Sequence, residues 1–330
     1  MIERLDAFMA RANAAYYATR DPFRDFTTSP EISQVFGELL GLWAAVCWRA
    51  MGMPTPVLLI EAGPGRGTLM EDALRATAQA APDFRAASQL HLIETSPRLR
   101  AIQAARLPAA IWHDGIETVP DGPFLLLANE FLDALPIRQF VRRRDGWCER
   151  YVGDHGSVER PAAPGDIDAA WHNDPENSVR ELCPAAGDVV QAIAERCRSH
   201  PGVALLIDYG PEHDAPGDSL QAIAEGKAVD PLTTTPGTAD LTAHVGFSRL
   251  ATTARAAGML VHGPVPQGIF LARLGLFQRS NRLARSLPPA KAAAIMQAAR
   301  RLGEPDRMGR LFKAMALSHP ALAHCPGFED

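Results

Sequence analysis

The sequence has no apolar run approaching the roughly 20 residues that cross a bilayer, so no membrane span is expected. Its five cysteines, Cys47, Cys148, Cys183, Cys197 and Cys325, are scattered and never form a CxxC pair. Neither a disulfide framework nor a zinc cluster is therefore expected, and no metal site is assigned. The start Met1-Ile2-Glu3-Arg4-Leu5-Asp6 lacks the basic region and apolar core of an export signal. A reducing, cytoplasmic location is the expectation. Charge comes in no long block of one sign: 33 basic and 38 acidic residues are mixed along the chain, for a net charge of -5. That excludes the basic footprint of general nucleic-acid or anionic-membrane binding. What is present, 330 residues with 47% hydrophobic and 22% charged content, suits one large globular domain with an insertion, or two domains.

Residues 1–52 read as helical, with Leu39, Leu40, Leu42, Trp43, Val46 and Cys47 as an apolar stripe ending near Gly52. Between two helical stretches, residues 23–32 are too polar for core, and Ser29-Pro30 reads as a helix start with Ser29 as cap. From Pro56 the pattern changes to short apolar runs alternating with helices: Val57 to Ile60, Leu90 to Ile93, Phe124 to Ala128 and Val203 to Ile207, with helices from Thr68 and Pro97. Continuous apolar strands separated by helices indicate a parallel sheet buried on both faces, hence an α/β, doubly wound, Rossmann-like fold. Arg138 to Val141 and Trp147 to Val152 read as a hairpin around Asp145-Gly146, and residues 153–178 as loop. The expected organisation is an N-terminal helical region over 1–52, a core over 53–275 with an insertion at about 138–200, and a C-terminal helical segment over 276–330. In that segment Phe312, Met315 and Leu317 would form an apolar helix face.

The strand ending in Ile60-Glu61 runs into Ala62-Gly63-Pro64-Gly65-Arg66-Gly67, where Gly63, Gly65 and Gly67 turn the chain at a helix start. This GxGxG spacing, with an acid two residues before the first glycine, differs from the GxGxxG of dinucleotide enzymes and weakens a nicotinamide reading. S-adenosyl-L-methionine carries no pyrophosphate and fits such a loop. Glu94, at the tip of the next strand, is placed to accept ribose hydroxyls. Asp114 is either an acceptor for an adenine amino group or a turn cap; Glu61 is either a cofactor ligand or a salt bridge beneath the loop.

After the fourth strand, Asn129-Glu130-Phe131-Leu132-Asp133-Ala134-Leu135-Pro136 puts an amide and two carboxylates at the sheet edge where open α/β sheets bind ligands. Glu130 and Asp133 could hold a cationic acceptor such as a guanidinium; equally, Asp133 could cap a helix and Asn129 order the loop. Asp240 is expected to cap the helix ending before Gly258, and His244 to be a packing histidine.

Four segments together, Asp25-Phe26-Thr27-Thr28-Ser29-Pro30-Glu31-Ile32-Ser33-Gln34, Glu61 to Met70, Asn129 to Pro136 and Ala239-Asp240-Leu241-Thr242-Ala243-His244-Val245, resemble the MidA family. The resemblance runs in order from about Tyr16 to Leu276. It implies a class I methyltransferase using S-adenosyl-L-methionine, and, by likeness to the mitochondrial members, symmetric dimethylation of an arginine on a respiratory complex I subunit as protein partner. It also implies that the N-terminal segment folds over the cofactor, making Thr27, Ser29 and Glu31 candidate site residues. The competing expectation is a non-catalytic cofactor-binding assembly chaperone.

Overall fold

The computed structural model describes residues 2–20, 27–154 and 156–329; Asp25 and Phe26 of the N-terminal segment lie outside them. Seven strands form the central sheet: β1 (Val57–Ala62), β2 (Ser88–Ile93), β3 (Ile111–His113), β4 (Phe124–Asn129), β5 (Gly202–Tyr209), β6 (Leu260–Pro266) and β7 (Phe312–Ser318). Their spatial order is β3-β2-β1-β4-β5-β7-β6. The first five are parallel, while β7 runs antiparallel to both β5 and β6. Because chain order reverses between β1 and β4, the connecting helices divide between the faces and a crevice opens at the carboxyl ends of these strands.

The period of two along each strand sorts the core. Leu59, Leu92, Leu125, Leu127, Leu205 and Ile207 face the helix Gln34–Ala50 and the C-terminal helices. Leu58, Ile60, Leu126, Ala128, Leu206 and Met315 face the helices Pro184–Ser199 and Phe247–Ala256. With both faces covered, each strand reads as an unbroken apolar run. The helices Gln34–Ala50 and Thr68–Ala80 approach so closely that a Cβ at Gly41 would lie 2.7 Å from Ala73 Cα and 2.8 Å from Ala73 O. Gly41→Ala is expected to destabilise the fold by about 1–3 kcal/mol through overpacking, outweighing the roughly 0.5–1 kcal/mol that alanine gains over glycine inside a helix. A urea midpoint no lower than the wild type's would contradict this.

Several expectations are corrected. The segment Phe312–Ser318 is a fully buried strand and not helix, because a slot between β5 and β6 supplies pairing on both edges and burial on both faces. Those tertiary terms override the helical preference of Lys313, Ala314, Met315, Ala316 and Leu317. Val46 is 48% exposed, so the apolar stripe is narrower than expected. Thr28, and not Ser29, is the residue before the turn Ser29–Ile32, and Ser29 is completely buried. Asp240 caps no helix; it begins the strand Asp240–Thr242, and Gly246 precedes the helix Phe247–Ala256. No helix follows Asp133, whose loop is a succession of turns. His244 is exposed, its ring resting edge-on against Tyr209 at 5.6 Å between centroids.

The hairpin is present as Arg138–Arg143 and Gly146–Gly153, with Gly146 at φ 143°. It belongs to a second, antiparallel sheet that also takes in Val179–Leu182, Glu3–Arg4 and Gly156–Pro161, the last a strand where only loop was expected. The helix Leu5–Thr19 leads from this sheet across the carboxyl edge of the central one, its Leu5, Phe8, Met9 and Ala12 packed against Ile137, Val152 and Leu241. Among the described residues no helix is long and apolar enough to cross a membrane.

Candidate functional site

A cavity of about 860 Å³ opens over the carboxyl ends of β1 to β4, roofed by Ala10, Asn13, Ala14 and Tyr17 of the first helix. Its floor begins with the glycine turn, where Gly63, Gly65 and Gly67 adopt φ of 67°, 54° and 80°. An L side chain rarely takes that conformation. At Gly63 a Cβ would also stand 3.0 Å from the Phe131 ring, so this glycine lets the cofactor loop and the loop after β4 touch.

Glu61, at the end of β1, is 3% exposed, and its Oε2 meets no hydrogen-bond partner among the described residues. Burial pushes its carboxyl up to about 8. A buried acceptor without a donor is costly unless a ligand supplies one. Glu94 follows β2; its Oε1 accepts from the Ser96 N–H at 2.8 Å and its Oε2 from Gln103 Nε2 at 3.2 Å. Burial raises Glu94, while these bonds pull it back. The same Gln103 amide donates to the Gly65 carbonyl at 2.7 Å, and Gln103 Oε1 accepts from Trp112 Nε1 at 2.8 Å. Gln103 thus ties the glycine turn to Glu94, a role invisible in the sequence, where a glutamine on an amphipathic helix reads as surface. Asp114 lies on the rim, its side chain 79% exposed and paired with Arg100 Nη2 at 2.6 Å.

At the other end of the cavity Glu130 Oε1 accepts from the Ser29 N–H at 2.8 Å and from Asn129 Nδ2 at 3.0 Å. Burial raises the Glu130 carboxyl, with these two donors opposing. Asn129 is 8% exposed and its Oδ1 has no partner among the described residues. The N-terminal segment therefore does reach the site. Thr28, Pro30 and Glu31 line the cavity, and Glu31 Oε1 accepts from Thr68 Oγ1 at 2.5 Å. Thr27 is exposed and outside the lining, and Ser29 acts from behind through its N–H. Of the expected carboxylate pair, Glu130 lines the cavity and Asp133 does not. Asp133 is buried near Asp208, Asp240 and Glu130, so burial first and then these like charges push it well above the usual range. Among the described lining residues stand seven carboxylates, Glu31, Glu61, Glu94, Asp114, Glu117, Glu130 and Asp188, against Arg66 as the one strong base.

Residues 39–265 match the family model of S-adenosyl-L-methionine-dependent methyltransferases. The chain is 35% identical over 371 residues to the Drosophila melanogaster homolog of the mitochondrial protein arginine methyltransferase NDUFAF7, covering 97% of this chain and 82% of that one. To the human NDUFAF7 it is 34% identical over 339 residues, with 92% and 76% covered. A Burkholderia thailandensis protein crystallised with S-adenosyl-homocysteine superposes with a TM-score of 0.81 at 28% identity, covering 99% of this chain and 90% of that one. The expected cytoplasmic location is overturned by these relatives, which are named as mitochondrial. Scattered cysteines and mixed charge report on redox chemistry and solubility, and those do not encode a cellular address.

Proposed function

The chain belongs to the MidA-like family of S-adenosyl-L-methionine-dependent methyltransferases, and on that premise we propose that it methylates the guanidinium nitrogens of an arginine in a protein. The supporting observation is the acidity of the cavity beyond the cofactor positions, where Glu130 stands beside Asn129 Oδ1, which has no hydrogen-bond partner among the described residues. A guanidinium offers five N–H donors in a planar fork and no acceptor, so it matches a carboxylate beside an amide oxygen. S-adenosyl-L-methionine, when bound, supplies a methyl group on a sulfonium that is already a good leaving group. The protein's own work is then to orient the acceptor nitrogen and remove a proton. Glu130 does both in this reading: it accepts a hydrogen bond from the guanidinium and takes the proton released as the new N–C bond forms.

We assign the cofactor to Glu61, Gly63, Gly65, Gly67 and Glu94, with Asp114 at the rim. Placing a cation beside Glu61 favours its ionised form, so binding near pH 7 is expected to release a proton. Affinity for S-adenosyl-L-methionine should therefore rise with pH, by at most about tenfold per unit, and level off above about 8. Calorimetry in two buffers of different ionisation enthalpy reads the proton directly; no release and a flat pH dependence would remove Glu61 from the ligand set.

The finer reading, symmetric dimethylation of an arginine on a respiratory complex I subunit, rests on family resemblance. Incubation with isotope-labelled cofactor and cell lysate, followed by mass-spectrometric mapping, tests both levels. Label on a small molecule or RNA and never on protein arginine would refute the proposal.

A further inference from the structure

The loop that presents Glu130 has no regular structure of its own, and Glu130 sits at φ +50°. A residue with a side chain stays in that region only when its surroundings hold it there. The holding groups come from the end of β5. The Glu130 N–H donates to the Ile207 carbonyl at 2.9 Å. The next three N–H groups, of Phe131, Leu132 and Asp133, all donate to Oδ2 of Asp208, at 3.2, 2.9 and 3.2 Å. Oδ1 of the same carboxylate accepts from the Tyr209 N–H at 2.9 Å. Asp208 is 1% exposed and does not line the cavity.

We propose that Asp208 is the positioning residue of the acceptor site: by gathering three successive amides on one oxygen it fixes the backbone that aims Glu130 into the cavity. The inference rests on the reading of Glu130 as the group that meets the acceptor. Successive N–H groups converging on an anion form a concave nest whose geometry depends on the anion at its centre. Here the carboxyl group at the centre, which burial raises to about 7 while the amides it gathers pull it back, is carried by a central strand of the sheet, paired with β4 on one side and β7 on the other, so the loop inherits the rigidity of the core. A shift of Glu130 by about 1 Å would cost up to 10²-fold in rate. The carboxylate needs no contact with substrate to have that effect.

The test compares full-length Asp208→Ala and Asp208→Asn with wild type. In Asp208→Ala, kcat is expected to fall at least about tenfold, with the Kd for S-adenosyl-homocysteine within about twofold of wild type. Asp208→Asn, which keeps an oxygen acceptor, should recover part of the rate. Hydrogen exchange at the amides of residues 131–133 should accelerate at least about tenfold in Asp208→Ala, whatever the methyl acceptor is. Unchanged protection of those amides overturns the proposal. So does a parallel loss of cofactor binding and turnover in both variants, which would make Asp208 a general stability element. Deprotected amides together with wild-type protein that labels no arginine would support the Asp208 inference and refute the arginine reading.

Discussion

Glu130→Gln is expected to lower turnover by about 10²–10⁴-fold, the usual contribution of a positioned general base, while leaving affinity for S-adenosyl-homocysteine within about twofold of wild type. Glutamine keeps an oxygen to accept from the Ser29 N–H and from Asn129 Nδ2, so the loop should stay in place. What disappears is the charge and the capacity to take a proton. The pH profile separates the two losses from a packing defect. Wild-type kcat should fall as pH drops and Glu130 becomes protonated, and because burial raises this carboxyl, that acid limb should lie above the ordinary carboxylate range. The variant should be slow at every pH and lack the limb. Initial rates and calorimetry decide the matter. If Glu130→Gln turns over normally, Glu130 is not the base; if it keeps partner binding and cellular function with no turnover at all, the non-catalytic chaperone is favoured.

The part of the site legible in the sequence is the part built from local geometry. A glycine can be anticipated wherever a strand must turn sharply into a helix, and Gly63, Gly65 and Gly67 take the positive φ that such a turn requires. Glu61, Glu94, Asn129 and Glu130 were recoverable because parallel strands bring their carboxyl ends to one edge, whatever the loops do afterwards. Gln103 was not, and of Asp208 only its place at that edge was, since each acts by bonding to backbone groups far away in the chain: the Gly65 carbonyl in one case and the amides of residues 131–133 in the other. Asp133 shows the converse. Its residue type and spacing fit a guanidinium clamp, yet four residues past the strand end at Asn129 the chain has already turned under the loop, leaving Asp133 among other buried acids. Such outcomes depend on backbone direction, to which residue type is a poor guide.

The largest misreading of the fold, the C-terminal strand, also yields the largest expected effect on stability. Truncation after Leu311 would remove β7, all seven residues of which are buried. Fully burying a side chain such as Phe312, Met315 or Leu317 is worth roughly 1.5–3 kcal/mol, so those three alone represent about 5–9 kcal/mol. That rivals the whole net stability of about 5–15 kcal/mol typical of a folded domain. Removing β7 would also strip pairing from β5 and β6 at once, exposing two hydrogen-bonding edges that invite aggregation. The truncated chain is therefore expected to be insoluble or to melt without a cooperative transition. Met315→Ala, which leaves the strand in place, should fold with a loss of about 2–5 kcal/mol. Circular dichroism melts of both proteins provide the comparison, and a truncated chain with a wild-type transition would show that the sheet closes without β7. Because β7 pairs residue by residue with β5, Lys313 opposite Asp208, the strand least visible in the sequence also braces the carboxylate that holds the acceptor loop.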